Sequence, residues 1–207
     1  MEVPAMFDLS SKVALVSGAS RGIGAETAEI LAEFGAHVIL TSRKAENLEA
    51  VQAHIKNAGN QASSMVCHNG DLAQIELLFE KIHEKHGRLD ILVNNAATNP
   101  FYGSVLEADE KAWDKTLAVN LKGPFFMSQH AAGLMRKNGG GSIVNVSSIN
   151  GRIPMLNQSI YSITKAALIS MTQAFAKELG PDTIRVNALL PGLTDTKFAS
   201  ALTQNDE

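Results

Sequence analysis

The chain holds 207 residues, of which 45% are hydrophobic and 19% charged, with a formal net charge of −3. That length suits one domain with a sizeable core, and the near balance of charge leaves no electrostatic footprint for nucleic acid or an anionic membrane surface. Cys67 is the only cysteine, which excludes an internal disulfide and a CxxC metal site and suits a reducing compartment.

The opening MEVPAMFDLSSK has no basic region followed by an apolar core, so no signal peptide is expected, and no apolar run is long enough to cross a bilayer. The final NDE is neither a peroxisomal nor a reticulum address, and the expected location is cytoplasmic. KVALVS (12–17) reads as the first strand and stops at Gly18, and a helix follows over 22–34, closed by Gly35. AHVILTS (36–42) is the second strand, and a polar helix runs from 44 to just before Gly59. SSMVC (63–67) is a weaker third strand. Asp71 takes the N-cap position of an amphipathic helix to His86, which Gly87 terminates. LDILVN (89–94), SIVNVS (142–147) and TIRVNALL (183–190) are the remaining strands, and long helices cover 109–137 and 156–179. Strands of nearly continuous Val, Ile and Leu between helices indicate a parallel sheet buried on both faces. Right-handed crossovers wind helices onto both sides of such a sheet. The expected fold is α/β: a doubly wound, Rossmann-like parallel sheet in a single domain.

Gly18, Gly22 and Gly24 fall in SGASRGIG, between the first strand and the first helix. Glycines there permit a tight turn and let the backbone approach a pyrophosphate, whose charge is favoured at a helix N-terminus. The spacing is G-x-x-x-G-x-G, not the commoner dinucleotide G-x-G-x-x-G. At the end of the second strand an acid binds a ribose diol, whereas an arginine can hold a 2′-phosphate. The chain has Ser42-Arg43-Lys44 there, and Arg21 in the glycine loop can reach the same region, so NADP(H) is expected over NAD(H). The competing reading leaves both arginines as solvated surface.

The segment 142–167, SIVNVSSINGRIPMLNQSIYSITKAA, runs as strand, loop and helix. Tyr161 and Lys165, four residues apart, project from one helix face, and the strand delivers Ser148 to the same space. A hydroxyl, a phenol and an amine converging there make a proton-transfer site. Alone, Y-x-x-x-K arises by chance. Tyr161 then reads equally as an exposed helix-start aromatic, Lys165 as a solvated partner and Ser148 as a loop cap.

Together these residues resemble the short-chain dehydrogenase/reductase family. The likeness runs from FDLSSKVALVSG at Phe7 to PGLTDT at Pro191. It rests on the glycine loop, LVNNAA (92–97), VNLKG around Asn120, VSS ending at Ser148, YSITK and RVNALLPG. The resemblance implies an oxidoreductase that moves a hydride between NADP(H) and a carbonyl or secondary alcohol. It implies that Tyr161 is the acid in reduction and the base in oxidation. Lys165 and the oxidised nicotinamide would favour the phenolate, Lys165 would also bind the nicotinamide ribose, and Ser148 would bond the substrate oxygen. Asn120 would interrupt a helix and hold a water that links Lys165 to solvent. Cofactor contacts are implied for Gly18, Ser20, Arg21, Gly22, Ile23 and Gly24 in the loop and for Ser42 and Arg43 after the second strand. Asn95 and Ala96 would lie along the cofactor after the fourth strand, with Asn94 supporting the central strands. Pro191, Gly192 and Thr196 match the segment that receives the nicotinamide carboxamide.

Three departures from the family pattern stand out. Ala97 replaces the glycine of NNAG, which is tolerable if its φ stays negative. His68, in CHNGDL, stands where many members place an aspartate near the adenine, so adenine contacts are expected from backbone groups or from His68 and Asn69. The family continues with a lid helix and a seventh strand, so the catalytic domain over 1–207 is expected to be incomplete at its C-terminus, with 183–190 left as an apolar sheet edge. Phe101, Tyr102, Met155 and Leu156 could line a substrate pocket or serve as ordinary packing. In the family the helices equivalent to 109–137 and 156–179 pair between copies, which implies a homodimer or homotetramer. No metal is expected, because His83 and His86 share a helix face without a supporting carboxylate or cysteine cluster. The partner is expected to be a small carbonyl or alcohol. The alternatives are a 3-oxoacyl-carrier-protein reductase and, from another class, a nucleotide-binding regulatory module without turnover.

Overall fold

Among the described residues six parallel strands form one sheet in the spatial order β3-β2-β1-β4-β5-β6. The computed structural model describes residues 5–194, so Thr196 lies outside the described residues. In chain order the elements are β1 (Val13–Ser17), α1 (Gly22–Glu33), β2 (His37–Ser42), α2 (Ala45–Asn57), β3 (Ala62–Val66) and α3 (Leu72–His86). There follow β4 (Ile91–Asn94), α4 (Glu110–Leu117), α5 (Gly123–Lys137), β5 (Gly141–Val146), α6 (Ser159–Leu179) and β6 (Ile184–Leu189).

Alternate residues of a strand point to opposite faces, and β1 is buried along its whole length. Val13 and Leu15 join a core with Ile75, Phe79 and Ile82 of α3 and Met127 and Met135 of α5. Ala14 and Val16 join a second core with Ala28 and Ala32 of α1 and Leu48 and Ile55 of α2. The continuous apolar runs are therefore what a sheet covered on both faces requires. β1 pairs with β2 on one side and β4 on the other, with Val16 beside Val93. The strand order reverses at this seam, which opens a crevice at the strands' C-terminal ends.

Helix ends follow their local chemistry. Asp71 accepts a hydrogen bond from the Gln74 N–H at 3.2 Å, and Gly87 closes α3 with a φ of 66°. The expected helix over 109–137 is interrupted, because α4 and α5 are joined by a π-turn, Ala118–Lys122, centred on Asn120. The expected helix over 156–179 starts later, at Ser159. Leu156 is apolar but 88% exposed, and Asn157 takes a φ of 62° that no right-handed helix admits. At the opposite end of the sheet, Asp90 accepts from the Val13 N–H at 2.9 Å and from two Arg88 nitrogens at 2.9 and 2.6 Å. Among the described residues no helix is long and apolar enough to cross a membrane.

Candidate active site

A cavity of about 280 Å³ opens where the sheet reverses. One wall is the turn from β1 to α1. Gly18 and Gly22 have φ of 67° and 55°, a region that L side chains avoid. A Cβ on Gly18 would stand 2.8 Å from Ala96 Cα. The Ser17 hydroxyl accepts from the Asn95 and Ala96 N–H groups at 3.0 and 3.1 Å, and Asn95 Nδ2 donates to the Ser17 carbonyl at 3.0 Å. The glycines thus let the turn after β1 and the turn after β4 interlock. Ser20, Arg21, Ile23 and Gly24 line the same wall, and Ser42 and Arg43 lie at the adjacent end of β2.

Two features of this wall fit a dinucleotide. Arg21 at the N-cap of α1 supplies no side-chain cap, so the first-turn N–H groups are left for an anion. Thr41 Oγ1 is buried in the cavity lining with no hydrogen-bond partner among the described residues, an atom whose cost of burial a ligand would relieve.

His68 and Asn69 line the cavity after β3, but both are engaged locally. His68 Nδ1 accepts from the Gly70 N–H at 3.0 Å, and Asn69 Nδ2 donates to the Val119 carbonyl at 3.3 Å. Ala97 is not among the described non-glycine residues with positive φ, which are Ser11, Asn157 and Thr183. The glycine of the family pattern is therefore not needed at that turn. Pro191 and Gly192 line the far side of the cavity, after β6.

Two hydroxyls reach the cavity from the end of β5 and from α6. Ser148 follows β5 in extended backbone and accepts from the Asn150 N–H at 3.2 Å, so it does cap the turn Ile149–Gly151. It also hydrogen-bonds the Tyr161 side chain. Tyr161 and Lys165 share one face of α6, with Lys165 Nζ 5.5 Å from the Tyr161 ring centre. Both are buried, and Lys165 is only 2% exposed. Lys165 Nζ donates to the Val146 carbonyl at 2.7 Å. Burial brings Lys165 down to about 7. Burial also raises Tyr161 above its ordinary value, opposed by the Ser148 hydrogen bond. In the protein alone, loss of water outweighs that hydrogen bond; the phenolate implied by the resemblance belongs to Lys165 acting together with the oxidised nicotinamide.

Asn120 does not line the cavity but sits behind it. Its Oδ1 accepts from the Thr98 N–H at 2.8 Å, and its Nδ2 donates to the Thr98 carbonyl at 2.9 Å and to Thr164 Oγ1 at 3.3 Å. The π-turn thereby holds the strand-end residue Thr98 against α6. Asn94 braces the sheet interior through Asn145 Oδ1 at 2.8 Å and Ser128 Oγ at 3.0 Å. Sequence reasoning missed Asn150 and Gln158, which also line the cavity. Both are amides in a polar loop, a composition that carries no signal by itself. Gly151 was equally silent, although a Cβ there would meet the Lys165 carbonyl at 2.8 Å.

The profile described as short chain dehydrogenase matches residues 12–207. The human dehydrogenase/reductase SDR family member 4 is 43% identical over 199 residues, covering 96% of this chain and 72% of its own length. Among solved structures, one described as a short-chain alcohol dehydrogenase of Sinorhizobium meliloti 1021 superposes with a TM-score of 0.92 at 38% identity, covering 97% of this chain and 79% of the other. A metagenomic short-chain oxidoreductase in complex with NADP superposes with a TM-score of 0.86 at 38% identity, covering 90% and 84%.

Proposed function

The chain belongs to the short-chain dehydrogenase/reductase family, and from that premise we propose an NADP(H)-dependent oxidoreductase that interconverts a carbonyl and a secondary alcohol. The observation that carries this reading is the convergence of Ser148, Tyr161 and Lys165 on a cavity whose other wall is the glycine turn. The glycine turn with Arg21 and Arg43 would hold the cofactor, which would supply the hydride. Ser148 and Tyr161 hydroxyls, already hydrogen-bonded to each other, hold the substrate oxygen as it gains negative charge. Tyr161 then gives its proton to that oxygen, and a charge on Lys165, 5.5 Å from the ring, favours the phenolate left behind. Asn120 keeps Thr98 and α6 in register beside this exchange. The preference for NADP(H) follows from Arg21 and Arg43, both exposed at the cavity rim with no acid at the end of β2. The NADP carried by the metagenomic relative agrees with it.

Copies are proposed to associate through α4, α5 and α6, where Trp113, Phe125 and Ile163 are large, apolar and exposed. The test of function is a panel of ketones and aldehydes with NADPH and with NADH. Turnover is expected with NADPH favoured, and Tyr161→Phe should lower kcat by about 100-fold or more. Undiminished turnover in Tyr161→Phe would reject the reading.

A further inference from the structure

One turn before Tyr161, the Gln158 side chain is 3% exposed and lines the cavity beside Ser148 and Tyr161. It occupies the N-cap position of α6 yet makes no capping hydrogen bond, so helix capping does not explain it. Its Oε1 instead accepts from Asn99 Nδ2 at 3.3 Å and from Asn150 Nδ2 at 3.2 Å. Those two amides come from the loop after β4 and the turn after Ser148, and the loops are stitched together by the Gly103 N–H donating to the Asn157 carbonyl at 3.0 Å. The oxygen end of Gln158 is therefore held from two sides, which fixes where its NH₂ end lies. Among the described residues that end meets only Met155 Sδ at 4.0 Å, and a thioether is a weak acceptor. A buried amide with two N–H donors and no oxygen partner is costly.

We propose that Gln158 reads a second oxygen on the substrate: its amide N–H donates to an acceptor oxygen one or two carbons from the reacting carbonyl. The substrate class is then a dicarbonyl or hydroxyketone in preference to a plain ketone. This rests on the oxidoreductase reading above, because the reacting carbonyl is placed by Ser148 and Tyr161. A buried donor that the correct substrate pairs discriminates against an analogue lacking the acceptor, since the donor is then left unpaired.

The test uses the full chain with NADPH and compares kcat/KM for 2,3-pentanedione with that for 2-pentanone. The dione is intrinsically more electrophilic, so the quantity read is the dione-to-ketone ratio in a variant against the ratio in wild type, in which that reactivity cancels. Gln158→Leu removes both ends of the amide. Gln158→Glu keeps an oxygen for Asn99 and Asn150 and removes only the donors, so it serves if the leucine variant fails to fold. Melting temperature and NADPH affinity are measured for each. The ratio is expected to fall by about tenfold, the equivalent of one lost hydrogen bond near 1.4 kcal/mol. A ratio unchanged in both variants, with turnover still dependent on Tyr161, overturns the Gln158 assignment alone. Turnover of both ketones that survives Tyr161→Phe overturns the parent reading and this one with it.

Discussion

Lys165 has its amine buried with one backbone carbonyl, that of Val146, as its hydrogen-bond acceptor. Burial sets its titration near 7, below the ordinary 10.5. Between those values the unfolded chain carries a proton that the folded chain lacks, so stability climbs as pH rises through that window. Near and below the lower value the folded protein bears the full cost of the buried charge. Lys165→Met should therefore raise the melting temperature measured at pH 7 without added cofactor, by several degrees at about 2–4 °C per kcal/mol, while turnover is lost. A melting temperature that drops in Lys165→Met would show that the Val146 hydrogen bond outweighs burial. None of this tension is visible in YSITK, since the four-residue spacing places the amine beside the phenol but does not say how much water reaches either. Ser148, Tyr161 and Lys165 were legible because strand and helix periodicity deliver them together. Gln158 was not, because its partners Asn99 and Asn150 lie 59 and 8 residues away.

At the scale of elements, the π-turn between α4 and α5 does two jobs. It aims Asn120 at Thr98, and its Val119 carbonyl takes a hydrogen bond from Asn69. Gly123, the first residue of α5, lies against the Asn69 carbonyl so closely that a Cβ would overlap it. Gly123→Ala should push the loop at 68–71 away from α5 and destabilise the fold by about 1–3 kcal/mol. Because His68 and Asn69 line the cavity, the KM for NADPH should rise with it, and thermal melts and cofactor titrations measure the two effects separately. Full cofactor affinity in this variant would remove the link between turn and loop. Strand positions were readable to within two residues, since apolar runs bounded by glycine, aspartate or proline have few alternatives. Helix starts were less so: Leu156 extends an apolar pattern that the backbone at Asn157 breaks, and only the geometry of that loop reveals it.

Across the whole molecule, the cavity and the main polar bracket stand at opposite ends of the sheet. Burial pushes the Asp90 carboxyl up, but hydrogen bonds from Arg88 and Val13 and the charges of Arg88 and Lys12 outweigh it and leave it below its ordinary value. A depressed carboxylate contributes stability that is present above its unfolded value and lost as pH falls through the folded one. Asp90→Ala should leave the Val13 N–H unpaired and cost about 1–3 kcal/mol. The variant should also show a flatter fall in melting temperature between pH 5 and pH 3 than wild type. An unaltered acid limb in Asp90→Ala would assign acid sensitivity to other carboxylates.

The seam between β1 and β4 has a kinetic consequence. Asn95 meets Ser17, 78 positions earlier in the chain, so this junction is a long-range closure that three preceding strands must await. The first three strands and their helices can assemble from neighbours alone, but the glycine turn needs Asn95 to lock it. Nucleotide affinity should therefore be the last property to return on refolding, appearing only when the two halves of the sheet meet.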